Sequence, residues 1–364
     1  MKIRDIIQVI ETFAPLRYQE GYDNAGLLFG NPDWEVTNAL LTLDTTEAVI
    51  DEAIEKSCNL IIAHHPIIFG GLKKITGRNY VERVAIKAIK NDIAVYTAHT
   101  NLDNVRNGVS RMLADRFALR ECQVLEPKKD LLYKLFTFVP HHAADTVRNA
   151  LFSAGAGHIG NYSECSFNAK GQGSFKGADN TDPFVGTPGQ LHFEEETKLE
   201  IIFPIYLENR IIKALLESHP YEEVAYDIVK LENAYPQVGS GLIGTLPQPL
   251  DEMEFLRLVK EQTGTGCVRY TPPRGKKVHK VAVCGGAGSF LLKKAIAAGA
   301  DAYISADFKY HEFFDAENQL IIADVGHFES EQFTVELFYI ILTENFRNFA
   351  PLKSSIRTNP VNYL

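Results

Sequence analysis

Apolar residues along this chain fall mostly in short unbroken runs. NALLTLD (38–44), LIIAHH (60–65), IAVYTAH (93–99), KVAVCGG (280–286), DAYISAD (301–307) and QLIIADVGH (319–327) each read as a strand covered on both faces. Amphipathic segments with helical spacing stand between them. These are TTEAVIDEAIEKSC, VERVAIKAIKN, NVRNGVSRMLADRF (104–117), SFLLKKAIAAGA, FKYHEFFDAEN as a helix or helical turn, and ESEQFTVELFYIILTENF as one long helix. Thr45 or Thr46 is placed to cap the first of them, with acidic residues in its early turns. Strands alternating with helices predict parallel βαβ units. The opening MKIRDIIQVIETFAPL has charges among its apolar residues, so it reads as a first helix and not as a signal peptide.

The same order of elements occurs near both ends of the chain, and the strand ends echo each other. His99 is followed four residues later by Asp103, and His327 four residues later by Glu331. The prediction is a pseudo-duplicated α/β core, 1–127 with 233–364, built on mostly parallel sheets flanked by helices. The block between, 128–232, has another rhythm. LYKLFTFVP, KLEIIFPIYL and EVAYDIVKLE read as strands, a further strand is placed around GNYSECSF, and AADTVRNALFSAGAG and NRIIKALLESH read as helices. That is βαββαβ, a ferredoxin-like α+β pattern inserted into the core. Its polar passage NAKGQGSFKGADNTDPFVGTPGQ is too glycine-rich to build a core and is expected as an extended hairpin or a mobile loop.

Composition narrows the function classes. With 37 basic and 46 acidic residues the net charge is −9, and no long basic run occurs, which argues against a nucleic-acid partner. No apolar run is long enough to span a bilayer, so no membrane role and a cytoplasmic location are expected. Cys58, Cys122, Cys165, Cys267 and Cys284 are scattered with no CxxC, against a disulfide framework or a thiolate zinc site.

The chemistry sits at the strand ends. Successive side chains on an extended segment point to opposite faces, so His64 and His65 do not converge easily on one ion. They suit two ions side by side, about 3.5–4 Å apart. Pro66 forces the chain out of the sheet, and the carboxyl ends of parallel strands are where such sheets bind ligands. His99, Asp103, His327 and Glu331 stand at comparable places, and a carboxylate one helical turn after His327 has two oxygens with which to bridge. Nitrogen and carboxylate donors without thiolate suit Zn, Fe, Mn, Co or Ni. His141–His142 also follows a strand, but no acidic pattern surrounds it, and it reads as a solvated helix entry. Asp44 and Asp307 end strands and are candidates to support the ligands, while CGGAGS (284–289) reads as a tight turn before it reads as a phosphate cradle.

DNAGLLFG (23–30), LIIAHHPIIF, AHTNLDN (98–104), CGGAGS, SADFKYHE (305–312) and DVGHFESE (324–331) together resemble the successive motifs of the GTP cyclohydrolase I type 2 homologue family, the Nif-three-like dinuclear metal proteins. The middle block resembles the PII- and CutA-like domain of its longer bacterial members. The resemblance implies that His64, His65, Asp103, His327 and Glu331 are metal ligands for two divalent ions. His65 with Asp103 would hold one ion, His64 with His327 the other, and Glu331 would bridge. His99 would act from behind the ligands. The resemblance further implies a ring-shaped homohexamer.

The expected function is a dinuclear metal-dependent hydrolase acting on an unknown small molecule of nucleotide, phosphoester or cyclic amide type, with His99 or His311 as proton carrier. The alternatives are a metal-dependent scaffold or regulatory protein that works through the inserted domain, and a metal storage or delivery protein.

Overall fold

The structure, a computed structural model, describes residues 1–364. It divides into two compact units, Met1–Pro127 with Pro236–Leu364, and Lys128–Tyr235.

The first unit holds two sheets. One runs in the order Gly26–Phe29, Ala94–Thr97, Leu60–Ala63, Ala39–Thr42, Leu352–Lys353. The last four strands are parallel, and Gly26–Phe29 pairs antiparallel at the edge. The reason for the unbroken apolar runs is visible in the packing. Ala39, Leu41, Leu60, Ile62, Ala94 and Tyr96 enter one core, with Ile3, Ile6 and Ile10 of the helix Ile3–Phe13 and with Phe338 and Leu342 of Thr334–Asn345. Leu40, Ile61, Ala63 and Val95 enter a second core on the opposite face, with Val49, Ile50 and Ala53 of Glu47–Glu55 and Val84 and Ala88 of Tyr80–Lys90. Strand periodicity sends alternate residues to opposite faces, so both positions must be apolar. Thr46 caps Glu47–Glu55, its side chain accepting from the Val49 amide.

The second sheet runs Arg269–Tyr270, Ile321–Asp324, Ala302–Ala306, Lys277–Ala287, Tyr235–Asp251, Arg120–Lys128. Its three strands Lys277–Ala287, Ala302–Ala306 and Ile321–Asp324 are parallel and neighbour one another in chain order, as do the three of the first sheet. The same two-faced division recurs: Val281, Val283, Ile304 and Ala323 to one core, Ala282, Tyr303 and Ile322 to another. The core is thus an α/β fold with parallel sheets flanked by helices, repeated.

Two predicted helices are broken, one after Asp103 and one after Glu331. The expected helix 104–117 is only Val109–Arg116, and Asp103 closes a separate turn, Thr100–Asp103. Gly108 lies between them where any Cβ would overlap the Leu102 carbonyl oxygen. The expected long helix after His327 is a short His327–Glu331 followed by Thr334–Asn345. At the break the Gln332 amide donates to the carbonyl oxygens of Thr263 and Glu329. FKYHEFFDAEN forms the 3-10 turns Tyr310–Ala316.

The second unit is built in the order Leu132–Pro140, Ala144–Ser153, Phe167–Phe175, His192–Pro204, Glu208–Ser218, Tyr226–Lys230, which is βαββαβ. Its antiparallel sheet runs Phe167–Phe175, His192–Pro204, Leu132–Pro140, Tyr226–Lys230. Leu135, Val139, Leu199, Ile201 and Phe203 cover one face of it with Val147, Leu151, Ile211 and Leu215 of the helices. The strand expected around GNYSECSF begins only at Phe167, because Gly157 and Gly160 take positive φ and Ile159 bridges back to Tyr162. The glycine-rich passage supplies the rest of that strand as an extended hairpin, registered from Phe167 opposite Glu200 to Phe175 opposite His192.

Candidate metal centre

Residues at the carboxyl ends of strands from both sheets line one cavity of about 930 Å³. His65, His99, Asp103, His327 and Glu331 all face it, together with Asp44 and Asp307. His64 lies behind this surface and is fully buried.

Each histidine is fixed through Nδ1. His64 Nδ1 is 2.8 Å from the Ala98 carbonyl oxygen, His65 Nδ1 2.7 Å from Asp44 Oδ1, His99 Nδ1 2.8 Å from Asp23 Oδ1 and His327 Nδ1 2.6 Å from Asp307 Oδ2. A ring that donates from Nδ1 to an oxygen presents Nε2 as the free donor atom, the usual support of a metal-ligating histidine. Asp44 and Asp307 thus fix the rings of His65 and His327. Asp44 is itself held by the Thr358 hydroxyl and Asp23 by the Thr100 hydroxyl.

The Nε2 atoms gather around Glu331, which is 3% exposed. Glu331 Oε2 is 2.9 Å from His65 Nε2 and 3.1 Å from His327 Nε2, and these two nitrogens are 3.4 Å apart. Glu331 Oε1 is 3.8 Å from His64 Nε2, which lies 3.5 Å from Asp103 Oδ1. The structure thus groups His65 with His327 and His64 with Asp103, each around one side of Glu331. This grouping of atoms differs from the allotment implied by the resemblance. His65 Nε2 meets Glu331 and His327 although its ring also lies 4.8 Å from that of His64, and the separate turn Thr100–Asp103 sets Asp103 beside the buried His64 ring. A third grouping joins His64, His65 and His99.

Glycines make room for the bridging carboxylate. A Cβ on Gly286, at φ +63°, would overlap Glu331 Oε1, and one on Gly285 would press on Val109 and on Glu331 Cγ. The Gly286 N–H donates to Ser330 Oγ. CGGAGS is therefore a turn that clears space for a ligand, with one of its amides already engaged.

The electrostatics are those of a cation site. Burial takes the His64 ring down to about 4, against the pull of Glu331. Burial also opposes charge on His65 and His327, but hydrogen bonds to Asp44 and Glu331 hold His65 at about 10, and Glu331 with Asp307 holds His327 at about 11. Burial and the neighbouring Glu331 push the Asp103 carboxyl well above the usual range. Burial opposes charge on Glu331 as well, yet the three histidines keep it well below its ordinary value. His64 Nε2 and Asp103 Oδ1 are both buried without a hydrogen-bond partner. Such orphaned atoms are costly unless something polar meets them. An imidazole nitrogen and a carboxylate oxygen face to face fit a divalent cation.

His311 is not brought here. It is exposed and packs against Tyr310 and Phe314, because the turn Tyr310–Ala316 leads away from the cavity. Two contributors were not visible in the sequence. Asp23 lies 76 residues from His99, with no spacing to announce the pair. Asn24, in the same motif, donates to the Ile68 carbonyl oxygen. The segment around Thr358, Asn359 and Tyr363 also lines the cavity.

The sequence profile of the family described as Duf34/NIF3 (NGG1p interacting factor 3) matches residues 1–360. A Bacillus subtilis protein named GTP cyclohydrolase 1 type 2 homolog is 44% identical over 327 residues, covering 89% of this chain and 88% of its own length. A Halalkalibacterium halodurans protein of the same name is 40% identical over 364 residues, covering 99% of this chain and 98% of its own. The solved Bacillus cereus protein related to NIF3 superposes with a TM-score of 0.86 at 37% identity, covering 100% of this chain and 99% of that one. With its sequence matched from end to end and its fold shared, this chain belongs to the Duf34/NIF3 family.

Proposed function

We propose that the core is a hydrolase that works with two divalent metal ions. The observation that carries this reading is the orphaned pair, His64 Nε2 and Asp103 Oδ1, set 3.5 Å apart beside a carboxylate that also meets His65 and His327. His64, Asp103 and Glu331 would hold one ion, and His65, His327 and Glu331 the other. Bound divalent ions supply Lewis-acid charge to a substrate oxygen and acidify water.

The chain's own residues do the rest. Glu331 ties the two ligand groups into one unit. Asp44, Asp307 and the Ala98 carbonyl lock the ring orientations. His99, anchored on Asp23, turns its Nε2 into the cavity and is placed to carry a proton between substrate and solvent. Phe69 and Tyr22 line the cavity as exposed rings, a wall against which the flat body of a nucleotide or cyclic amide would rest. The same reading includes a homohexameric ring, carried by the family resemblance.

The test is metal analysis of protein purified without oxygen, followed by a screen of phosphoesters, nucleotides and cyclic amides with His65→Ala alongside. Two metal equivalents and a turnover lost together with metal in His65→Ala are expected. Turnover that persists in a metal-free His65→Ala protein would overturn the mechanism.

A further inference from the structure

The second unit contains a cavity of its own, about 940 Å³, within the size range of small-molecule sites. It lies under the glycine-rich hairpin, far in sequence from every candidate metal ligand. Three features decide what it would take.

The first is a buried acid without a cation. Glu196 lines the cavity and is only 8% exposed. The Tyr221 hydroxyl donates to its Oε1 at 2.8 Å, and no Lys, Arg or His lies within ion-pair distance. The nearest lysine along its strand, Lys198, is engaged with Glu200 and stands over the Phe136 ring. A buried carboxylate is normally paired with a positive group, and here the open side faces the cavity.

The second is the aromatic wall. Phe175 and Phe184 both stand beside Tyr221, with ring centroids 6.1 and 6.3 Å from it. Rings beside a carboxylate favour an organic ammonium with a flat or apolar body.

The third is deliberate space. Gly173 on the hairpin leaves room for the carboxylate, and a Cβ added there would overlap Glu196 Oε2. Lys170 and Lys176 stand exposed in the lining with no partner, so an acidic group on the same ligand would be met there.

We propose that this cavity binds a small aromatic zwitterion of the amino-acid type, its ammonium on Glu196, its ring against Tyr221, Phe175 and Phe184, and its carboxylate toward Lys170 and Lys176. The proposal stands independently of the metal centre.

Isothermal titration calorimetry on the full-length protein tests it with three probes: L-phenylalanine, phenethylamine, which lacks the carboxylate, and 3-phenylpropionate, which lacks the ammonium. L-Phenylalanine should bind tightest, phenethylamine more weakly and 3-phenylpropionate weakest. Glu196→Gln should weaken L-phenylalanine about tenfold or more, in line with losing a charge-assisted hydrogen bond. Gly173→Ala should displace the Glu196 carboxylate and weaken L-phenylalanine, with the fold retained by circular dichroism. The proposal is overturned if L-phenylalanine gives no heat of binding, if 3-phenylpropionate binds as well as phenethylamine, or if both variants bind as the parent does.

Discussion

His64 Nε2 and Asp103 Oδ1 face each other at 3.5 Å, both shut off from water and neither hydrogen-bonded. With His64 held near 4 and Asp103 pushed upward, the pair is not an ion pair at neutral pH unless a cation joins it. Added divalent metal should therefore stabilise the fold. At a free concentration one hundred times Kd the gain is about 2.7 kcal/mol, or roughly 5–10 °C in Tm. Differential scanning fluorimetry with and without chelator reads this. Asp103→Asn should abolish the rise, and a full rise in that variant would refute the assignment.

Asp44 holds His65 with one oxygen and receives the Thr358 hydroxyl on the other. Removing such an outer partner typically costs 10–100-fold in metal affinity. Asp44→Ala should lose about that much, and Thr358→Val a smaller part of it. Competition against a coloured chelator measures both, and Thr358→Ser should restore the parent value.

Gly286 marks where the backbone yields to the bridging carboxylate. Gly286→Ala should displace Glu331 and lower the bound metal per chain, while far-ultraviolet circular dichroism stays unchanged. Elemental analysis of the purified variant decides it, and a normal metal content would show that Glu331 does not need this space.

Glu52 supplies a pH signature away from the metal centre. It is 5% exposed and accepts hydrogen bonds from Lys56, Ser354 and Ser355. Burial opposes its charge, but these donors outweigh burial and hold it at about 2, below its ordinary 4.5. A depressed folded pKa stabilises above the unfolded value and is lost as pH falls toward the folded one. The contribution is about 3 kcal/mol, complete above pH 4.5 and fading toward pH 2. Urea denaturation of the parent and Glu52→Gln should show a gap at pH 7 that narrows at pH 3. An equal gap at both would exclude the linkage.

The strands and their order were legible because both faces of each sheet are buried, which leaves unbroken apolar runs such as LIIA and IIAD. The five candidate residues were legible because they sit at or just after the ends of those runs, and the structure brings them together. The pairing was not. Which nitrogen meets which oxygen depends on Gly108 breaking a helix and on a short turn that re-aims Asp103, and neither leaves a periodicity. His311, exposed and outside the lining of the cavity, could not be placed from the sequence, since a 3-10 turn and a helix carry similar sequences but point their side chains differently. Asp23 and Thr358 act through contacts 76 and 314 residues away along the chain, beyond any local pattern.

Glu331 lies 266 residues after His65, and it is the one carboxylate that both ligand groups share. A growing chain meets His64, His65, His99 and Asp103 long before that carboxylate exists. Domains fold as units, and this one draws on both ends of the chain, so those residues stand for a time without their partner. Metal captured then would lack its bridge and exchange freely. A site that includes Glu331 can form only after residue 331 has been made.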